Sequence, residues 1–92
     1  MKTVYKYVLP ITDVASIKMH KDAEIVHVDN QLEQLCIWAV VDNELPIVLR
    51  KFRIAGTGHR LDYDHLKVEV KCHLGTVKLY GGALILHVFE IK

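Results

Sequence analysis

The stretch Gln34-Leu35-Cys36-Ile37-Trp38-Ala39-Val40-Val41 decides how this chain folds. Side chains alternate across a strand, so Leu35, Ile37, Ala39 and Val41 share one face while Cys36, Trp38 and Val40 share the other. Both faces are apolar. Such a segment reads as the middle strand of a sheet covered on both sides, by a second layer or by another subunit. Asn30 and Gln31 read as the turn that feeds it, and Asp42-Asn43-Glu44-Leu45-Pro46 as the polar turn that leaves it.

The same period of two extends along the chain. Thr3 to Leu9 places Thr3, Tyr5, Tyr7 and Leu9 on one side and stops at Pro10. In Val14 to His20, Ala15, Ile17 and Met19 alternate with Ser16, Lys18 and His20, which favours a strand over a short helix capped by Thr12 or Asp13. His20-Lys21-Asp22-Ala23 is a tight connection in which Asp22 tolerates a left-handed backbone, and Glu24 to Asp29 completes the hairpin. Ile47 to Ala55 returns with Phe52 and Ile54 opposite Lys51 and Arg53. A polar loop runs from Gly56 through His65, after which Leu66, Val68, Val70 and Cys72 form a dry face opposite Lys67, Glu69, Lys71 and His73. Gly75 and Gly81-Gly82 break up the remainder before a last strand, Ala83 to Ile91, apolar on nearly both faces. About seven or eight short strands with hairpin-length loops predict a mainly β fold, a compact antiparallel β-sandwich or small barrel forming one domain over residues 1–92.

A 92-residue chain hides only roughly 60–65% of its extended surface on folding. A hydrophobic fraction of 51% with mean hydropathy +0.18 therefore excludes a disordered chain and predicts self-association into a homo-oligomer. The net charge of +1 provides no global field for DNA, RNA or anionic lipid, so attraction for anions has to be local. The opening residues Met1 to Tyr7 alternate instead of forming an apolar run, and no apolar stretch approaches the roughly 20 residues that span a bilayer. These features predict a cytoplasmic protein without a membrane partner. Cys36 and Cys72, with no C-x-x-C spacing, read as buried free thiols.

The most distinctive local feature is Gly56-Thr57-Gly58-His59, with all three arginines, Arg50, Arg53 and Arg60, around it. Two glycines let amides converge on an anion, Thr57 offers a hydroxyl, His59 a further hydrogen bond, and Arg53 and Arg60 neutralise phosphate. The competing reading is a turn whose glycines serve backbone geometry alone. The segment is neither a P-loop nor a dinucleotide fingerprint. Trp38 or Tyr80 is expected to cover a base, and His87, in the apolar last strand, is either a ligand contact or a core histidine bonded to a neighbour. His59, Asp62, Asp64 and His65 match no zinc spacing, so no metal and no cofactor is expected. Ser16 and the two cysteines lack an activating setting, and no catalytic residue is assigned.

Lys2-Thr3-Val4-Tyr5-Lys6-Tyr7, Cys36-Ile37-Trp38-Ala39-Val40-Val41-Asp42, Phe52-Arg53-Ile54 with Gly56-Thr57-Gly58-His59, and Leu79-Tyr80-Gly81-Gly82-Ala83-Leu84 with His87-Val88-Phe89-Glu90 occur in this order along nearly the whole chain. Together they resemble a family of small phage and prophage proteins of unknown function. Asp22 stands where that pattern has glycine, and Asp62 to Lys71 departs from it. The resemblance brings no activity but implies a setting, the cytoplasm of an infected bacterium. By analogy of size and style, it suggests a homo-oligomeric sponge that sequesters a small anionic nucleotide-derived signal, of the cyclic nucleotide or cyclic ADP-ribose type, and so counteracts immune signalling. The alternative expectation is a protein–protein interaction module, an inhibitor of a host protein or a minor phage assembly component.

Overall fold

The structure, a computed structural model, describes residues 1–62 and 68–92. Seven strands follow one another: β1 (Lys2–Leu9), β2 (Val14–His20), β3 (Glu24–Gln31), β4 (Gln34–Asp42), β5 (Ile47–Gly56), β6 (Val70–Leu79) and β7 (Leu84–Ile91). They form two antiparallel sheets, β1-β4-β3 and β2-β5-β7-β6. The result is a sandwich and not a closed barrel, 17 Å deep along its shortest axis as two packed layers require. No helix among the described residues is long and apolar enough to cross a membrane.

The core forms where the two inward faces meet. Leu35, Ile37, Ala39 and Val41 of β4 point into it with Leu9, and Met19, Phe52, Ile54, Leu86 and Val88 answer from the other sheet. The alternation in Val14 to His20 is that of a strand: Ala15 and Met19 are buried and Ser16 and Lys18 exposed. Asp22 takes the left-handed backbone (φ 62°). On one flank the layers converge, since a Cβ built on Gly75 of β6 would lie 3.3 Å from Val28 of β3, and Asn30 Nδ2 donates to the Lys78 carbonyl (3.1 Å). A side chain at this position would force Val28 to give by a few tenths of an ångström. On the same flank, but toward the start of both strands, they carry bulges at Ile25/His27, Val70/Cys72 and His73/Gly75, which bend their edges.

Three sequence expectations need correction. The turn into β4 is made by Leu32 and Glu33, not Asn30 and Gln31, which remain in β3. Both turn residues have positive φ (52° and 61°), the two-residue hairpin geometry that usually recruits Asn-Gly. Asn30 compensates: its Oδ1 accepts the Glu33 N–H (2.8 Å), which holds the turn from one side. Second, Gly75 does not break a strand, and β6 runs through it. Third, the dry face expected of Val70 and Cys72 is exposed, and of the two thiols only Cys36 is buried. The bulges flanking Cys72 disrupt the alternation that made the segment look one-sided. Leu66 and Lys67, where that strand was expected to start, lie outside the described residues.

Leu32 is 92% exposed and strained, with no packing to offset its left-handed backbone. Leu32→Asn should therefore stabilise the fold by about 1 kcal/mol, read as a higher urea midpoint at unchanged slope. A midpoint that stays or falls would show that the leucine is held by contacts outside the turn.

Candidate functional site

Gly56-Thr57-Gly58-His59 is a closed turn in which the His59 N–H donates to the Gly56 carbonyl (3.1 Å). Gly58 has φ +84°, the conformation a type II turn demands at its third residue. The His59 ring folds back over Gly56, and a Cβ there would meet Cε1 of the ring at 2.9 Å and displace it. Turn geometry thus accounts for Gly58, and the His59 amide is already used. His59 separates two shallow hollows of about 290 Å³ each, one lined by Thr57 and Gly82 to Ile85, the other by Ile11 to Asp13 and Leu86.

The three arginines part company. Arg53 is buried at 2% exposure on the outer side of β5, and it turns back on the chain. Its Nε donates to Leu61 O (2.9 Å), Nη1 to the carbonyls of Asp13 (3.0 Å) and Ile54, and Nη2 to Arg60 O, with the Asp13 carboxylate 3.6 Å away. The guanidinium thus staples the segment after Gly56 to the sheet by collecting its carbonyls. Arg60 is exposed at the end of the turn. Arg50 points the other way, into the sandwich, where it grips Glu90 with Nε (2.6 Å) and Nη2 (2.8 Å) and donates through Nη1 to Ala23 O (2.6 Å). That bidentate pair raises the Arg50 pKa above its ordinary value, against the opposing effect of burial. It lines an open cleft of about 650 Å³ between the inner edges of β3 and β6, with Lys21, Asp22, Glu24, Lys71 and Cys72 also on its walls.

His87 joins the turn to the sheet. Its Nε2 bonds Thr57 Oγ1 (2.8 Å) and its Nδ1 bonds Thr76 Oγ1 (2.9 Å). A neutral imidazole has one donor and one acceptor, so one threonine receives an N–H while the other gives its O–H. Thr76 Oγ1 also lies 3.4 Å from His73 Nε2, and the His73 ring packs on Phe89 at 5.1 Å. The partner of His87 is a hydroxyl, not the backbone group expected of a core histidine. Thr76 and His73 were missed because β6 was expected to end before Gly75. A strand read through that glycine would have aligned His73, Thr76 and Lys78 beside the last strand.

Charge is sorted between the faces of the four-stranded sheet. Its strands carry a single carboxylate, Glu90, which is turned inward onto Arg50. The outer face presents Lys18, Lys51, His73, Lys78 and His87 among exposed Ile47, Leu49, Val70 and Ile85. Two expected contacts lie away from this face. Trp38 is on the outer side of the three-stranded sheet, beside His27 at 5.5 Å, because alternation in β4 sends Ile37 and Ala39 inward. Tyr80 is 58% exposed at the 3₁₀ turn Tyr80–Gly82, with φ +51° and its N–H donated to Glu33 Oε2 (2.6 Å). Asp64 and His65 lie outside the described residues, and among the described ones no group of three or more His, Cys, Asp or Glu is placed to hold a metal.

The fold and this face define an antiparallel β-sandwich whose four-stranded sheet turns no carboxylate outward from its strands and holds a histidine between threonines. The chain belongs to the family described as a domain of unknown function, DUF7352, which matches residues 1–92. No curated protein and no solved structure matches it.

Two substitutions separate holding the fold from holding a ligand. Arg53→Lys leaves a charge with at most three donors among carbonyls arranged for a planar fork, and should cost about 3 kcal/mol in chemical denaturation. A loss below about 1 kcal/mol would contradict the staple. Glu90→Gln leaves the Arg50 guanidinium half-paired in a largely buried setting and should cost about 3–5 kcal/mol, whereas Glu69→Gln, at an exposed pair, should change stability by less than about 0.5 kcal/mol. Equal effects of the two would contradict the distinction.

Proposed function

We propose that this protein is a binding module that holds a small anionic, nucleotide-derived signalling molecule on the outer face of its four-stranded sheet and sequesters it without converting it. The observation that carries this reading is the sorting of charge. A nearly neutral chain places Lys18, Lys51, Lys78, His73 and His87 on one face whose strands contribute no carboxylate to it. Basic residues so gathered make the local field that the net charge lacks. Arg60 and Lys78 contribute charge to phosphate, and His59 and the Thr57–His87–Thr76 chain contribute polar groups at fixed spacing. Arg53 acts one step back, by pinning the turn that carries Thr57, His59 and Arg60. The family resemblance in the sequence gives this reading its biological form, a phage protein that lowers the concentration of a bacterial immune signal.

A second reading, a protein-interaction module, draws on Leu32. An apolar side chain 92% exposed on a strained hairpin tip is suited to anchor in a partner's pocket. Under that reading Leu32→Asn stabilises the free protein and abolishes capture of a stoichiometric protein partner.

The test is a thermal-shift and denaturation screen with cyclic dinucleotides, cyclic trinucleotides and cyclic ADP-ribose isomers. A true ligand at 100 times its Kd should stabilise the fold by about 2.7 kcal/mol. Arg60→Glu with Lys78→Glu should remove the effect without unfolding the protein, and the ligand should be recovered intact after denaturation. No stabilisation by any of these anions would overturn the binding assignment, and recovery of a cleaved product would overturn sequestration.

A further inference from the structure

No described residue forms a layer over the outer face of the three-stranded sheet. That face has three columns. β1 contributes Lys2, Val4, Lys6 and Val8, β4 contributes Val40, Trp38 and Cys36, and β3 contributes Glu24, His27 and Asp29, with Val26 pushed out at the bulge. Val4, Val8 and Val26 are 55%, 45% and 52% exposed around the half-buried Trp38. Lys6 Nζ reaches over β4 to Gln31 Oε1 (2.6 Å), which fits the full burial of Cys36 beneath it. The apolar centre is therefore framed by bases on β1 and by Glu24 and Asp29 on β3, while Asp42, at the end of the central column beside Lys2, is paired with the Met1 ammonium (3.2 Å). Asp29 is firmly ionised near neutral pH, because the Asn30 N–H and then His27 hold its carboxyl below the usual range.

We infer that two copies of this chain pair through this face, about a two-fold axis running along β4. That rotation places β1 of one copy over β3 of the other, so the lysine column meets the acidic column twice. Lys6 stands two residues, about 7 Å, from the level of Asp29 along the strands and Lys2 two residues from that of Glu24, within the reach of a lysine side chain. A two-fold across the strands would instead set lysines on lysines. Trp38 lies in the central column, on the axis, and meets its own counterpart, while Val4, Val8 and Val26 pack around it. Self-complementarity of this kind is what an isologous interface requires. It also accounts for the sequence of β4, apolar on both faces: one face fills the sandwich, the other fills the dimer.

The face is small. Three strands at about 4.8 Å spacing and about eight residues long cover on the order of 400 Å² in projection, so the dimer sits at the weak end of specific interfaces and dissociates on dilution. Pairing here leaves both basic sheets facing outward, so the dimer would present two anion-binding faces without altering either. The inference does not depend on the ligand reading.

Sedimentation velocity on the wild-type chain over a dilution series should show a concentration-dependent monomer–dimer equilibrium, and Trp38→Ala should weaken it at least about 30-fold. The decisive arm is charge exchange. Lys2→Glu/Lys6→Glu and Glu24→Lys/Asp29→Lys should each be monomeric alone and form a heterodimer when mixed, which also shows that both variants are folded. A wild-type protein that stays monomeric at high micromolar concentration would overturn the proposal. So would a dimer indifferent to Trp38→Ala, or charge variants that fail to combine.

Discussion

The inward half of β4 sets the terms for the rest of the molecule. Leu35, Ile37, Ala39 and Val41 are at most 1% exposed, and a chain of this length has only one interior in which to bury them. The other sheet has to lie flat across them, and Phe52, Ile54 and Val88 supply the opposing surface. Once those faces are used up, each sheet has one face left, and the chemistry of the protein is divided between the two. The four-stranded sheet turns outward a mixed face whose charged side chains are basic. The three-stranded sheet turns outward an apolar face bordered by charge.

The two buried charged groups, Glu90 and Arg53, show how firmly the sorting is held. Glu90 is the lone carboxylate of the four-stranded sheet, and it is turned inward, where Arg50 grips it with two hydrogen bonds. Removing it from the outer surface leaves the strands of that surface with lysines and histidines but no carboxylate, set among exposed Ile47, Leu49, Val70 and Ile85. Arg53 shows the complementary device. A buried guanidinium on the outer side is tolerated because carbonyls of Asp13, Ile54, Arg60 and Leu61 receive its N–H groups, and in doing so it fixes the path of the turn. Breaking either arrangement leaves a charge without adequate solvation, so both are expected to matter more for folding than exposed pairs such as Lys92 with Glu69.

Much of the fold was legible because alternation over β1, β2, β4, β5 and β7 is a strong signal where one face is core. It failed where geometry is set by neighbours. Leu32-Glu33 has none of the composition of a tight hairpin, and its left-handed backbone exists because Asn30 and the contact of Glu33 with Tyr80 support it from outside the turn. The bulges in β6 exposed Cys72 and hid the continuity of His73, Thr76 and Lys78 with the last strand. The loop at Gly56 was legible as a special turn, and its glycines have local explanations. What proximity in sequence could not convey is direction: Arg50, Arg53 and Arg60 lie within eleven residues and serve three different surroundings. Trp38 was likewise grouped with a loop that lies on the opposite side of the sandwich.

The central claim is that anions are held on the outer face of the four-stranded sheet. Its most direct test is residue-resolved: titrate the isotope-labelled protein with a cyclic dinucleotide, and separately with inorganic pyrophosphate, and follow the backbone amide resonances. Saturable shifts concentrated at Thr57, Arg60, Thr76, Lys78 and His87, weakening as salt is raised, are the predicted result. Shifts confined to Ala23, Arg50 and Cys72 in the inter-sheet cleft, or no saturable shift with either anion, would contradict it.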